Sequence, residues 1–188
     1  VRLPDDRRAI GTKWVHKIKL NEDGTIERFR ARLTALGYQQ VAGLDYGETF
    51  APVARAKATR VALTIGATED MEIDGFDVKG AFLRGAIDKA ENEVYVKQPK
   101  GFEKPGKEDW AWRLRKGMPG AKQAARGWNK EIDSTMCKLW FTPTGADPCL
   151  YHIRRPGRKI ILVNMHVDDG FLIYDKTDGF AVNIKQKL

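Results

Sequence analysis

The sequence predicts an α+β fold, and three observations lead there. A segment near the N-terminus and another near the C-terminus alternate across tight turns, as hairpins do. Two stretches between them carry apolar residues at helical spacing. Helices and hairpins mixed along one chain of this length build an α+β domain.

The elements follow in order. Residues 1–10 read as an irregular lead-in. Residues 13–20 alternate imperfectly between polar and apolar, Asn21-Glu22-Asp23-Gly24 forms a turn, and residues 25–33 return. The basic side chains of this hairpin can line one surface. Residues 35–58 hold glycines and Pro52 with few regular repeats, so they are loop with short elements. Residues 58–67 form a helix that sets Val61, Ala62, Ile65 and Gly66 near one face. Residues 71–78 are a strand, and residues 80–83 begin a turn or helix. Residues 93–96 and 110–114 are short strands. Between them, two prolines and two glycines mark residues 98–107 as a surface loop. A helix follows Gly120 after its first turn and runs to Leu139. In it Trp128, Ile132 and Met136 recur four apart and share a buried face, as core residues do. The last hairpin runs from residues 159–167 through a tight Asp168-Asp169-Gly170 turn into residues 171–174. A further helix starts before Leu188.

Composition narrows the function classes. A chain of 188 residues with 42% hydrophobic residues can bury one sizeable core. No stretch is long and apolar enough to span a membrane, so no membrane partner is expected. The two cysteines and three histidines are scattered without metal-ligand spacing, which argues against a zinc site. Two cysteines without paired spacing suit a reducing, intracellular setting, and a cytoplasmic particle or the nucleus, reached as part of a larger polyprotein, both stay open. The net charge of +8 attracts polyanions but identifies none, and a solvated basic surface has the same composition.

Carboxylates carry the chemistry. Asp77 ends a strand, and Asp168 and Asp169 end the last hairpin. Brought together, three like charges repel strongly, and divalent cations relieve that repulsion by taking the oxygens as ligands. Magnesium prefers such hard donors, with water and substrate phosphate completing its shell. Two magnesium ions, or manganese in their place, would serve nucleotide addition, with Asp77 and Asp168 as bridging ligands and Asp169 in support. By themselves these residues fit blander roles equally well. An acidic pair in a turn is often just solvated, and Asp77 can cap a helix.

A longer series of phrases is specific. The chain carries Gly11-Thr12-Lys13-Trp14-Val15, then Arg28-Phe29-Arg30-Ala31-Arg32-Leu33, then Gly37-Tyr38-Gln39-Gln40. Gly43-Leu44-Asp45-Tyr46 and Glu48-Thr49-Phe50-Ala51-Pro52-Val53 follow, then Phe76-Asp77-Val78-Lys79-Gly80-Ala81-Phe82-Leu83. Val94-Tyr95-Val96-Lys97-Gln98-Pro99, Gly120-Ala121-Lys122-Gln123 and Val167-Asp168-Asp169 complete it. In this order, over nearly the whole chain, the phrases resemble the copia-type retrotransposon reverse transcriptases.

The resemblance implies an RNA-directed DNA polymerase of incomplete right-hand form: an antiparallel palm sheet backed by helices, with an N-terminal fingers hairpin. It assigns about residues 11–70 mainly to the fingers and about residues 71–188 mainly to the palm with intervening fingers elements. Thumb, ribonuclease H and integrase segments are not recognisable. Asp77, Asp168 and Asp169 take the catalytic and metal-binding roles. Arg30 or Arg32 meets the triphosphate of an incoming nucleotide through its planar fork of donors. Phe82 stands where relatives place an aromatic gate against a ribose 2′-hydroxyl, and it equally fits a core position. Gln123 falls in the segment beside the nascent base pair, or simply starts a helix. Expected partners are an RNA or DNA template with its primer, deoxynucleoside triphosphates and the remainder of a Pol polyprotein.

Departures from the family pattern bear on activity. His166 replaces a tyrosine, Leu36 a lysine and Gly80 a threonine, and Met118-Pro119-Gly120-Ala121 replaces Leu-Tyr-Gly-Leu. None removes a carboxylate. The isolated chain is expected to be inactive, and a non-catalytic nucleic-acid-binding remnant is the alternative.

Overall fold

The computed structural model describes residues 1–87 and 93–187. In chain order its elements are β1 (Thr12–Leu20), β2 (Ile26–Ala35), a 3-10 turn (Gly37–Gln39), α1 (Ala56–Thr68), β3 (Glu72–Asp77) and α2 (Ala81–Arg84). There follow β4 (Tyr95–Lys97), β5 (Ala111–Arg113), α3 (Ala124–Lys138), β6 (Thr142–Pro143), β7 (Leu150–Ile153), β8 (Ile161–His166), β9 (Asp169–Tyr174) and α4 (Gly179–Lys185). The paired strands are antiparallel, and helices accompany them, so the α+β class holds. The chain forms two compact units, Val1–Phe50 with Phe82–Trp128, and Ala51–Ala81 with Asn129–Leu188.

The first unit holds the β1–β2 ribbon and the short β4–β5 pair. Residues opposite one another in an antiparallel register share a face. The pairs Trp14–Leu33, His16–Ala31 and Ile18–Phe29 therefore lie on one face of the ribbon, and Val15–Arg32, Lys17–Arg30 and Lys19–Arg28 on the other. The basic side chains thus line one surface, and Arg28, Arg30 and Arg32 are exposed there. At the base of the ribbon Leu33 packs on a core of Ile10, Ala35, Val94, Val96, Met118, Ala121 and Ala124. The 98–107 surface loop is tied down by Gln98, whose Nε2 donates to the Lys107 and Trp110 carbonyls at 2.6 and 3.0 Å.

Backbone closes directly on backbone beside this core. The Ala35 N–H donates to the Pro119 carbonyl at 2.8 Å. Next to it Gly120 has φ +89, and a Cβ there would stand 2.3 Å from the Ala35 oxygen. The Pro119 substitution thus costs no donor here, because the segment is used through its carbonyl. Gly120→Ala forces both a left-handed conformation and a clash, and should lower unfolding stability by about 2 kcal/mol or more. Chemical denaturation of the pair of proteins measures it, and a loss below about 0.5 kcal/mol would show that this approach is looser in solution.

The second unit is built on a five-stranded sheet, β3-β9-β8-β7-β6. Its central strand β8 reads Ile161-Leu162-Val163-Asn164-Met165, all buried, because both faces are covered there. Ala62, Leu150, Leu162 and Ile173 form the core on the α1 face. Gly66 lets α1 sit close, since a Cβ there would stand 2.9 Å from Ile173 Cγ2. Ala62 and Gly66 are buried as the helical spacing predicts, but Val61 is 56% exposed. One step of 100° carries it off the packed face. Trp128, Ile132 and Met136 are all buried.

On the opposite sheet face Lys185 of α4 stands 2.9 Å from the Asp74 carboxylate and donates to the Tyr174 hydroxyl at 3.3 Å. The hydrogen bond from Lys185, then that from Tyr174, hold the Asp74 carboxyl below its ordinary value of 3.8. A depressed carboxyl adds stability above its unfolded pKa and loses it as pH falls through the folded one. The acid limb of the unfolding curve should therefore steepen below pH 3.8, and Asp74→Asn should flatten it. An unchanged acid limb in Asp74→Asn would remove this pair from the acid response.

Candidate active site

Asp77, Asp168 and Asp169 lie in the second unit, at one end of its sheet. The β3–β9 register sets Asp77 directly opposite Asp169, and the β8–β9 register sets Asp169 opposite His166. His166, Asp169 and Asp77 therefore form one row across three strands, on the face that Leu162, Ile173 and Ile73 share further along. All three are exposed. Asp168 stands in the turn, and its carbonyl accepts the Val78 N–H at 2.7 Å, which ties the turn to the end of β3.

The turn differs from the expected Asp-Asp-Gly. It consists of Val167 and Asp168, and Asp169 and Gly170 are already paired in β9. The pleat needs Gly170 where it is: a Cβ there would meet the Phe76 ring at 2.5 Å. Positive φ falls instead on Val167, at 61°. A β-branched residue in that region is strained, and where only the first position of a two-residue hairpin turn has positive φ, glycine is its usual occupant. Val167→Gly should raise stability by about 1 kcal/mol through relief of that strain. Thermal unfolding tests this, and a fall in midpoint would mean that the Val167 side chain stabilises more than its backbone costs.

The residues suit a hard cation in kind more than in present arrangement. None of the three carboxylates has an ion-pair partner among the described residues. Among those residues, however, no three His, Cys, Asp or Glu side chains converge as a metal-ion cluster. Magnesium sites commonly keep several waters and borrow substrate phosphate oxygens, so a pair of opposed carboxylates with a third nearby is a fitting donor set.

The other sequence-predicted residues all belong to the first unit. Arg30 and Arg32 are exposed on the cationic face of the ribbon, where Lys17 faces Arg30 and Lys19 faces Arg28. Like charges directly opposite destabilise a ribbon, and an anion laid on that face would reverse the effect. Phe82 lies in α2, half-buried against the core that holds Val94, Val96 and Met118. Gln123 precedes α3, and both ends of its carboxamide are engaged, Nε2 with the Asp45 carbonyl and Oε1 with Gln40 Nε2, each at 3.0 Å. Gln40 and Asp45 stand in two of the family phrases, but no local pattern pairs either with Gln123, because that partner lies about eighty positions away. Gly80 has φ 66, so the departure from threonine there coincides with a backbone that favours glycine.

An antiparallel sheet with opposed acids at its end, accompanied by helices and a basic hairpin, is consistent with a reverse-transcriptase-like domain. The family model described as reverse transcriptase (RNA-dependent DNA polymerase) matches residues 1–188. The chain belongs to that family, and it is homologous to copia-type retrotransposon Pol polyproteins. It is 38% identical, over its full length, to 14% of the retrovirus-related Pol polyprotein from transposon TNT 1-94 of Nicotiana tabacum. It is also 38% identical over 166 residues to the Pol polyprotein from transposon RE2 of Arabidopsis thaliana, 88% of this chain and 11% of that one. A putative transposon Ty5-1 protein of Saccharomyces cerevisiae matches 60% of the chain at 35% identity, over 35% of its own length. The chain thus spans about a seventh or less of the Pol polyproteins it matches. No solved structure matches it. No helix among the described residues is long and apolar enough to cross a membrane.

Proposed function

We propose that this chain is the fingers and palm portion of a copia-type RNA-directed DNA polymerase, which adds deoxynucleotides to a primer as part of a longer Pol chain. The observation that supports this most is the strand register that opposes Asp77 and Asp169 beside the Asp168 turn. In this reading about residues 11–70 are mainly fingers and about residues 71–188 mainly palm with intervening fingers elements, as in an incomplete right-hand polymerase.

Asp77 and Asp168 hold the cations jointly and Asp169 strengthens the local negative field. Two magnesium ions bound there would supply hydroxyl activation and charge neutralisation for in-line nucleotide addition. Arg30 and Arg32 draw in the triphosphate through fixed guanidinium forks, and the rest of the cationic face follows the phosphate backbone. Phe82 crowds a ribose 2′-hydroxyl and so favours deoxynucleotides. Gln123 offers its remaining amide valences to the nucleotide. Template, primer, deoxynucleoside triphosphates and the remainder of Pol are the partners, in a cytoplasmic particle or the nucleus.

Primer extension on an RNA template with magnesium and deoxynucleotides tests this, run with the 188-residue chain and with a longer Pol chain that contains it. The longer chain should extend the primer, the short one should not, and Asp168→Asn should stop extension. A folded longer chain without product would reject the polymerase. If it still bound primer–template with a strong salt dependence, the binding-remnant reading would replace it.

A further inference from the structure

Gln40, Gln123 and two backbone groups form a hydrogen-bond relay whose direction is set at both ends. The Lys122 N–H, which can only donate, reaches Gln40 Oε1 at 2.8 Å. Gln40 Nε2 donates to Gln123 Oε1 at 3.0 Å. Gln123 Nε2 donates to the Asp45 carbonyl, which can only accept, at 3.0 Å. A carboxamide has a donor end and an acceptor end of nearly the same shape, so its orientation follows from its partners. Fixed polarity at each terminus leaves one orientation for both amides. Reversing Gln40 would set N–H against the Lys122 N–H, and reversing Gln123 would set its oxygen against the Asp45 carbonyl.

The relay stands on a rigid base. Asp45 is 1% exposed, and its Oδ2 accepts the Val41 N–H at 2.8 Å. Gln40 is buried at 6% exposure. The Gln123 carbonyl accepts the Gly127 N–H at 3.0 Å, the opening bond of α3. A carboxamide offers two N–H donors and two oxygen lone pairs. The relay takes one of each from half-buried Gln123, which leaves one donor and one acceptor in fixed directions.

We infer that Gln40 is a positioning residue: it fixes the flip of the Gln123 carboxamide, so that Gln123 meets an incoming nucleotide with the same donor–acceptor edge every time. This rests on the polymerase reading above. Gln40 itself is too buried to touch the nucleotide. Its contribution is preorganisation, since a pre-oriented amide loses no rotational freedom when the nucleotide arrives.

Gln40→Glu is the matched test. The glutamate can still accept the Lys122 N–H, but its second oxygen faces Gln123 Oε1. Gln123 must flip to donate to it, which sets the Gln123 oxygen against the Asp45 carbonyl. Side-chain amide 15N–1H spectra of the 188-residue protein should show the Gln123 NH2 pair moving in Gln40→Glu. In primer extension by the longer Pol chain, KM for deoxynucleotide should rise about three- to tenfold, with a smaller change in kcat. In a Gln123→Ala background the same substitution should leave KM unchanged, because the amide it orients is gone. An unmoved Gln123 pair, or a KM effect that persists in Gln123→Ala, would overturn the inference. Loss of kcat and thermal stability at constant KM would reduce Gln40 to a packing role. A wild-type longer chain that extends no primer sinks the polymerase reading and the nucleotide half of this inference, while the spectra still decide the flip.

Discussion

Asp77→Asn, made in the longer Pol chain that contains these residues, should reduce magnesium-dependent primer extension by about a thousandfold, the scale expected when a group that stabilises transition-state charge is removed. The same substitution should leave the protein at least as stable as the wild type. Asp77 stands opposite Asp169, and both are exposed without an ion-pair partner among the described residues. Like charges directly opposite on neighbouring strands cost up to about 1 kcal/mol. Asparagine keeps the shape and removes one charge. The gain should shrink in 1 M salt, where the Debye length falls to about 3 Å. Activity and thermal midpoint are therefore expected to move in opposite directions. A variant that extends primer normally would remove Asp77 from the chemistry, and one that loses activity and stability together would assign it to the fold. Asp168→Asn should share the activity loss without the stability gain, because Asp168 lies in the turn and faces no carboxylate across the ladder.

The largest stability effect is expected far along the chain, at Asp147. This carboxylate is 1% exposed. Its Oδ2 accepts the Arg55 N–H at 2.7 Å and its Oδ1 accepts the Cys149 N–H at 2.9 Å. The Arg55 carbonyl in turn receives the Thr59 N–H at 3.1 Å, so Asp147 fixes the residue from which α1 departs. Thr144 closes the local turn, its hydroxyl donating to the Asp147 carbonyl at 2.8 Å. Asp147→Ala leaves two backbone donors without partners, each worth about 1–3 kcal/mol when buried, and should cost about 3 kcal/mol in urea unfolding. Asp147→Asn retains one acceptor oxygen but aims an NH2 at the other donor, so it should lose an intermediate amount. A loss below about 1 kcal/mol for alanine would mean that water reaches both donors.

Local order was legible in the sequence wherever one short-range rule governs it. The alternation of residues 13–20 and the Asn-Glu-Asp-Gly turn sufficed for the β1–β2 ribbon, because strand period and turn chemistry act within a few residues. The spacing of Trp128, Ile132 and Met136 sufficed for the buried stripe of α3. Family membership was legible too, since it depends on the order of short phrases and not on their contacts. The sequence also showed that strand ends carry Asp77, Asp168 and Asp169.

Only the tertiary structure decided what faces those residues. Register is a property of two strands, and a slip by one residue moves every side chain to the other face. The row from His166 through Asp169 to Asp77 therefore exists only once β8, β9 and β3 are paired. The turn moved from Asp-Asp-Gly to Val167-Asp168 for the same reason. Gly170 is claimed by the Phe76 ring across the ladder, and a contact with a residue so distant in sequence outweighs local turn preference. Val61 turned outward because α1 has one packed face, whose direction is set by the sheet beneath it. The Gln40–Gln123–Asp45 relay and the Asp147 anchor lay beyond any spacing rule. Their hydrogen bonds join positions about eighty to ninety residues apart, and satisfying a buried polar group depends on what folding brings beside it.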